Sequence, residues 1–279
     1  MPATVPSRTA RRKTRVRAPR PASIALPRPA LGGYAPRLAQ LAARAWPMKC
    51  AQELRSALVF RALRDAARRL GAAFAPLAAD AARIAREELR HARLCRDAGV
   101  ALGAAVVTHD RAPVARRLAG LPEPRRRLLA LLLIEVAIGE TVSVALFATG
   151  RRGAREPLTR TVLGAILRDE VGHARFGWSA LARVLPAFAG EREWLGGELR
   201  RGLADLEQSV AAPALRRLEA GEPFAPALSE LGVLAPALRV EVFYRTIERA
   251  VLPRLERLGL DGAQAWSERY QLAPPAAPL

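Results

Sequence analysis

The apolar residues of this chain recur at helical spacing, with few β-branched runs and almost no strict alternation. Glycines and prolines divide the pattern into segments, which indicates helices joined by turns. Gly71 and Gly99 are expected to end the first two helices, and Gly150 and Gly153 to form the turn after the third. The predicted helices cover about residues 51–70, 77–97, 125–149, 157–185, 191–219 and 236–258. The pattern therefore predicts an all-α protein.

The chain divides into four parts by composition and helical pattern. A basic tail rich in Arg and Pro buries too little apolar surface to fold, so we expect it to be disordered. A four-helix bundle follows, then a C-terminal helical extension packed on the bundle, and a loose C-terminus. His109 is expected in a loop of about twenty residues between the second and third helices. The predicted bounds of the four parts are 1–35, 36–190, 191–270 and 271–279.

The third predicted helix is long and apolar enough to resemble a membrane span. Glu135 and Glu140 argue against that interpretation, because ionised carboxylates are costly in lipid but can be neutralised by metal ions inside a bundle. We therefore expect a soluble protein with no membrane partner. In the bundle, this helix is expected to line a pocket with Ile138, Val142 and Ala145.

Charge and cysteine content limit the function classes. Of the formal net charge of +19, eleven basic residues and no acids lie in residues 1–52, and 19 − 11 leaves +8 for the rest. Since only two of the 45 basic residues are lysines, an overall Arg bias explains much of the excess, and nucleic-acid binding is only weakly indicated. Two cysteines and no export signal favour a cytoplasmic protein without a disulfide framework.

Two helices carry the spacing Glu-x-x-His, at Glu88 and His91 and again at Glu170 and His173. Residues three apart share one helix face, so each pair can bind one metal ion or contribute to two neighbouring ions. Two of the three histidines in the chain have this spacing, which makes coincidence a weak explanation. Glu87, which precedes the first pair, is expected to face solvent.

A two-metal site also needs one carboxylate from each of the other two helices. Glu53 precedes Glu88 by 35 residues, and Glu140 precedes Glu170 by 30 residues. Glu135 is the alternative to Glu140. We do not expect both to be ligands, because residues five apart on an α-helix differ by about 140° in direction and do not face the same ion.

In this order, Glu, Glu-x-x-His, Glu and Glu-x-x-His, the chain resembles the ferritin-like superfamily of di-iron carboxylate proteins. It is most similar to uncharacterised bacterial members with Asp-Glu-x-x-His-Ala and Gly-Glu-Thr segments, here residues 169–174 and 139–141. The resemblance favours Glu140 and implies two iron ions, although manganese or a mixed pair would accept the same ligands. It implies Glu53 and Glu140 as terminal or bridging carboxylates, Glu88 and Glu170 as the bridging pair, and His91 and His173 as nitrogen ligands.

The resemblance implies an enzyme, a di-iron oxidase or oxygenase that activates dioxygen and acts on an unknown small-molecule substrate. The alternatives are a ferroxidase or other iron-handling protein, and a tRNA-modifying di-iron hydroxylase. The electron donor and the oligomeric state stay open, and a homodimer is one possibility.

Overall fold

The computed structural model describes residues 24–107 and 123–270, and within these ranges it contains helices and no strand. The all-α class is therefore confirmed. We number the helices α1 Pro36–Arg69, α2 Ala75–Ala101, α3 Pro124–Gly153, α4 Pro157–Val184, α5 Arg192–Val210, α6 Ala212–Glu219, α7 Ala227–Glu230, α8 236–257 and α9 Gly262–Ser267.

The first four helices form a four-helix bundle. Helix α1 packs along α2, α3 packs along α4, and the two pairs meet through contacts of α2 with α4 and of α1 with α3. Gly71 lies just after the end of α1, as predicted. Its φ of 96°, which residues with a Cβ atom rarely adopt, allows the chain to turn toward α2. The four predicted bundle helices all exist, but several of their ends differ.

Helix α1 begins at Pro36, well before the predicted start at residue 51. An internal proline removes a backbone hydrogen bond and crowds the preceding turn, so Pro47 would be expected to interrupt a helix. In the structure the helix continues through Pro47, with Trp46 and Ala43 fully or almost fully buried beside it. We attribute the continuation to this burial, which offsets the missing hydrogen bond.

The turn between α3 and α4 also differs from the prediction. Gly150 and Gly153 lie inside α3, and the chain turns only after them. The side chain of Glu156 then accepts hydrogen bonds from the backbone N–H groups of Leu158 and Thr159, at 3.0 and 2.7 Å, and so caps the start of α4.

Helix α3 has the length and apolarity of a membrane span, but 72% of its most apolar stretch is buried inside the protein. Its leucines at 128, 129, 131, 132 and 133 lie in one hydrophobic core with residues of α1, α2 and α4. This is the burial pattern of a core helix in a soluble protein.

Helices α5, α8 and α9 pack on the bundle and share its hydrophobic core. Leu203 of α5 and Phe243 of α8 belong to the same buried cluster as Leu132 of α3. Residues 24–35 form no helix, yet Ile24 and Leu26 contact the bundle. The rest of the predicted basic tail, the loop residue His109 and residues 271–279 lie outside the described residues, and the four-part division stays a prediction.

Candidate metal centre

The structure brings together the six predicted metal ligands at the centre of the bundle. Each has at most 5% of its surface exposed, and they lie on all four bundle helices: Glu53 on α1, Glu88 and His91 on α2, Glu140 on α3, and Glu170 and His173 on α4. Helical periodicity places each Glu-x-x-His pair on one face, and the antiparallel packing of the helices aligns the faces.

Within the described residues, these side chains form two overlapping sets of potential metal ligands. The first contains Glu53, Glu88, His91 and Glu170, and the second contains Glu88, Glu140, Glu170 and His173. In each set, one donor atom of every residue lies within 4.8 Å of the others. Since Glu88 and Glu170 occur in both, the arrangement suits two neighbouring ions that share two carboxylates.

Both imidazoles direct Nδ1 at the carboxylates. His91 Nδ1 lies 3.2 Å from Glu170 Oε1 and 3.4 Å from Glu53 Oε2, and His173 Nδ1 lies 2.7 Å from Glu88 Oε1. The two ring centres are 5.7 Å apart. One nitrogen donor therefore faces each half of the cluster.

Five donor atoms of the cluster lack hydrogen-bond partners among the described residues. Nδ1 of His91, Nδ1 of His173, both carboxylate oxygens of Glu88 and one of Glu170 are buried without a hydrogen bond. Buried polar atoms are almost always satisfied, because an unsatisfied one costs about 1–3 kcal/mol. Oxygen and nitrogen donors that converge without partners fit divalent metal ions of the iron and manganese type.

Burial and mutual repulsion raise the pKa values of two cluster carboxylates. Burial, together with the nearby Glu170 and Glu88, raises the pKa of Glu53 to about 8. Burial and the same two carboxylates raise the pKa of Glu140 well above its usual value. Four carboxylates held this closely repel one another when ionised, and two divalent cations would remove that repulsion.

The second nitrogen of each imidazole contacts an acid on the opposite helix. His91 Nε2 of α2 lies 3.0 Å from Asp169 Oδ2 of α4, and His173 Nε2 of α4 lies 3.0 Å from Glu87 Oε2 of α2. Although burial opposes it, hydrogen bonding to His173 lowers the pKa of Glu87. Such contacts fix the ring orientation and leave the other nitrogen free for a metal.

The expectation that Glu87 faces solvent is therefore corrected. The sequence signal was available, because an acid precedes the glutamate in both Glu-x-x-His pairs, as Glu87 and as Asp169. On one isolated helix, Glu87 points away from Glu88. Glu87 contacts His173, which belongs to α4. The sequence of α2 alone does not show this contact.

Part of α3 is a π-helix, over Leu131–Ile138, where hydrogen bonds reach back five residues. The N–H group of Gly139 donates to the carbonyl of Ile134, five residues before it. Measured around the helix axis, the angle between the Glu135 and Glu140 side chains is therefore smaller than on an α-helix. Both side chains line the same cavity. Glu135 pairs there with Arg55 at 2.6 Å, whereas Glu140 belongs to the ligand sets.

A cavity of about 220 Å³ adjoins the cluster. Its walls include four of the cluster carboxylates and apolar side chains, and α5 and α8 close one side. Of the three predicted lining residues, Val142 lies in the wall, while Ile138 is buried elsewhere and Ala145 borders a separate groove. The apolar wall consists of Val59, Val142, Leu146, Phe147, Leu163, Leu206, Val210 and Leu234.

Comparison with known proteins gives a structural likeness only. No family model matches the chain, and no curated protein matches it significantly. A solved structure described as Protein 19 with aldehyde deformylating oxidase activity, from Synechococcus, is similar with a TM-score of 0.55 and 20% identity, over 84% of this chain and 99% of that one. Together with the helical architecture, this likeness confirms the predicted ferritin-like fold class.

Proposed function

We propose that the chain binds two iron ions between the six central residues and uses them to activate dioxygen for the oxidation of a small organic substrate. The observation that carries this proposal is the pair of buried ligand sets that share Glu88 and Glu170. Iron is preferred over manganese because the structurally similar Synechococcus protein is named for an oxidase activity. Manganese or a mixed pair would fit the same donors.

In this proposal Glu88 and Glu170, which belong to both ligand sets, would help to hold both ions, while Glu53 and Glu140 would each help to hold one. His91 and His173 each supply one nitrogen. Four ionised carboxylates balance two divalent ions in charge, which makes a dry interior compatible with the site. When bound, ferrous ions supply the electrons that dioxygen accepts.

The chain's own contribution is to position the ligands and exclude water. Asp169 and Glu87 hold the imidazoles, and Ser56 Oγ donates to Glu140 Oε1 at 3.1 Å. The apolar cavity wall keeps bulk water away from the reacting centre and offers room for an organic molecule.

This cavity is the reason to prefer an oxidase or oxygenase to an iron-handling protein. The cavity combines the cluster carboxylates with an apolar wall that offers room for an organic molecule, and a ferroxidase has no use for such a wall. A tRNA-modifying hydroxylase is the other alternative, but an overall Arg bias explains much of the basic excess, so RNA binding is only weakly indicated. We place the protein in the cytoplasm, as a monomer or homodimer served by an electron donor of unknown identity.

The test is the reaction of the reduced, iron-loaded protein with dioxygen. We expect rapid oxygen consumption and a change in the visible absorption of the iron, both lost in Glu88→Gln and Glu170→Gln variants that keep wild-type helical circular dichroism. Iron-loaded wild type that consumes no oxygen would contradict the proposed function. Mineral growth on repeated addition of ferrous ion, without saturation, would favour iron handling instead.

A further inference from the structure

Two basic side chains, Lys49 of α1 and Arg239 of α8, line the cavity beside the cluster. Among the described residues, neither forms a hydrogen bond or an ion pair. The Lys49 ammonium lies 5.9 Å from the centre of the Trp46 ring and 6.0 Å from the centre of the Phe147 ring. Both side chains are only partly exposed, and neither has a carboxylate within ion-pair distance among the described residues.

The other charged groups at this end of the site are compensated. Arg55, the third cation in the cavity wall, pairs with Glu135 at 2.6 Å. If two divalent ions balance the four cluster carboxylates, Lys49 and Arg239 are not needed for that balance. With two metal ions bound, Lys49 and Arg239 would give the cavity an excess positive charge. This charge balance rests on the proposed function.

Holding the two cations without a counter-charge is unfavourable. Burial, with a further contribution from Arg239, lowers the pKa of Lys49 to about 8. Burial also lowers the pKa of Arg239. An anion in the cavity would relieve both effects, because an opposite charge favours the charged form of each group.

We propose that the cavity binds a small organic carboxylate as substrate, with its head group between Arg239 and Lys49 and its apolar body along the wall toward the metal ligands. The planar guanidinium of Arg239 suits the two oxygens of a carboxylate. Val142, Leu146 and Phe147 of α3 provide apolar surface for the body.

The helix positions set the length of that body. Lys49 precedes Glu53 by four residues, about 6 Å along α1. Phe147, which contacts Lys49, follows Glu140 by seven residues, about 10 Å along α3. A body of a few carbon atoms spans this interval, and a cavity of about 220 Å³ is smaller than the roughly 300–1,000 Å³ of sites for drug-sized ligands.

The experiment is calorimetric titration of the iron-loaded protein with butanoate, hexanoate and octanoate, and with 1-hexanol as an uncharged probe. We expect at least one carboxylate to bind at millimolar concentration or below, and hexanol to bind at least about tenfold more weakly than hexanoate. Arg239→Gln and Lys49→Gln should each weaken carboxylate binding about tenfold to a hundredfold. The matched control is Arg249→Gln, an exposed position on α8, which should bind like wild type.

Three results would overturn the proposal: no binding of any of the three carboxylates, equal binding of hexanol and hexanoate by wild type, or unchanged carboxylate binding in Arg239→Gln. The comparison of hexanol with hexanoate needs no variant, so a folding defect cannot obscure it. Iron content is measured on the same samples. Iron without carboxylate binding would refute this inference alone, while Arg239-dependent binding in a chain that holds no iron would refute the proposed function alone.

Discussion

His91 Nε2 lies 3.0 Å from a carboxylate oxygen of Asp169, although the two residues are on different helices and 78 positions apart. The same contact recurs in the opposite direction between His173 and Glu87. Each Glu-x-x-His helix therefore orients the histidine of the other. Arg90 and Arg83 in turn hold the two acids, at 2.5 Å from Asp169 and 2.9 Å from Glu87.

This contact predicts that Asp169→Asn lowers metal affinity without removing a ligand. The amide cannot stabilise the His91 imidazole as the carboxylate does, and we expect metal affinity to fall about tenfold to a hundredfold. Competition with a chelator of known affinity measures the change. Asp97→Asn, at an exposed position on α2, is the control and should bind metal like wild type. Equal affinity in Asp169→Asn and wild type would show that the contact does not support the site.

The two glutamates of α3 should differ in their effect on metal content. Glu140→Gln removes a proposed ligand of the second set, and we expect it to lose at least one of two metals per chain. Glu135→Gln removes only the carboxylate that pairs with Arg55 and should retain both metals. Metal analysis of the purified variants decides. The reverse result would assign the ligand role to Glu135.

Gly177 should be intolerant of a side chain. A Cβ atom there would lie 2.8 Å from the backbone N and Cα of Ala137, in the π-helical part of α3. We expect Gly177→Ala to destabilise the protein by about 1–3 kcal/mol, because backbone atoms of another helix would have to move. Gly172→Ala on the same helix meets no atom within 4 Å and should stabilise by about 0.5–1 kcal/mol. Urea denaturation of both variants tests the difference, and equal effects would argue against this helix contact.

Metal-free protein should lose stability as pH rises. Burial raises the pKa of Glu53 from 4.5 to about 8, so the stability present below about pH 4.5 is lost as pH rises through 8. Although burial opposes it, the hydrogen bond to Glu87 and the nearby carboxylate charge of Glu88 raise the pKa of His173 from 6.5 to about 9, so its contribution is present below 6.5 and is lost toward pH 9.

Both groups act in the same direction between about pH 5 and 9. In the presence of a chelator, the melting temperature measured by calorimetry should be lower near pH 9 than near pH 5. Added metal should raise the melting temperature most at the alkaline end, because the ligands must lose protons to bind it. A metal-free melting temperature that rises over this interval would contradict the arrangement of buried acids.

The helices and the six candidate ligands were predictable because their signals are local. The spacing of Glu88 and His91, and of Glu170 and His173, depends only on the pitch of an α-helix. The choice of Glu140 over Glu135 needed the resemblance to a family as well. The structure places Glu140 in the second ligand set and Glu135 in an ion pair with Arg55.

The features that the sequence did not reveal depend on tertiary packing. The continuation of α1 through Pro47 depends on the burial of Trp46 against other parts of the fold. The π-helical segment of α3 has no known signature in a run of leucines and isoleucines. Arg239 lies in the wall of the cavity with Glu170, 69 positions away along the chain, and only the packing of α8 on the bundle shows it.

The most direct test of a two-metal centre is the number of metal ions bound per chain after expression with ample iron. The account predicts close to two irons per chain in wild type, and well below two in Glu88→Gln and Glu170→Gln, since each of these residues belongs to both ligand sets. Well below one metal ion per chain in correctly folded, reconstituted wild type would contradict it and leave a helical protein without a metal centre.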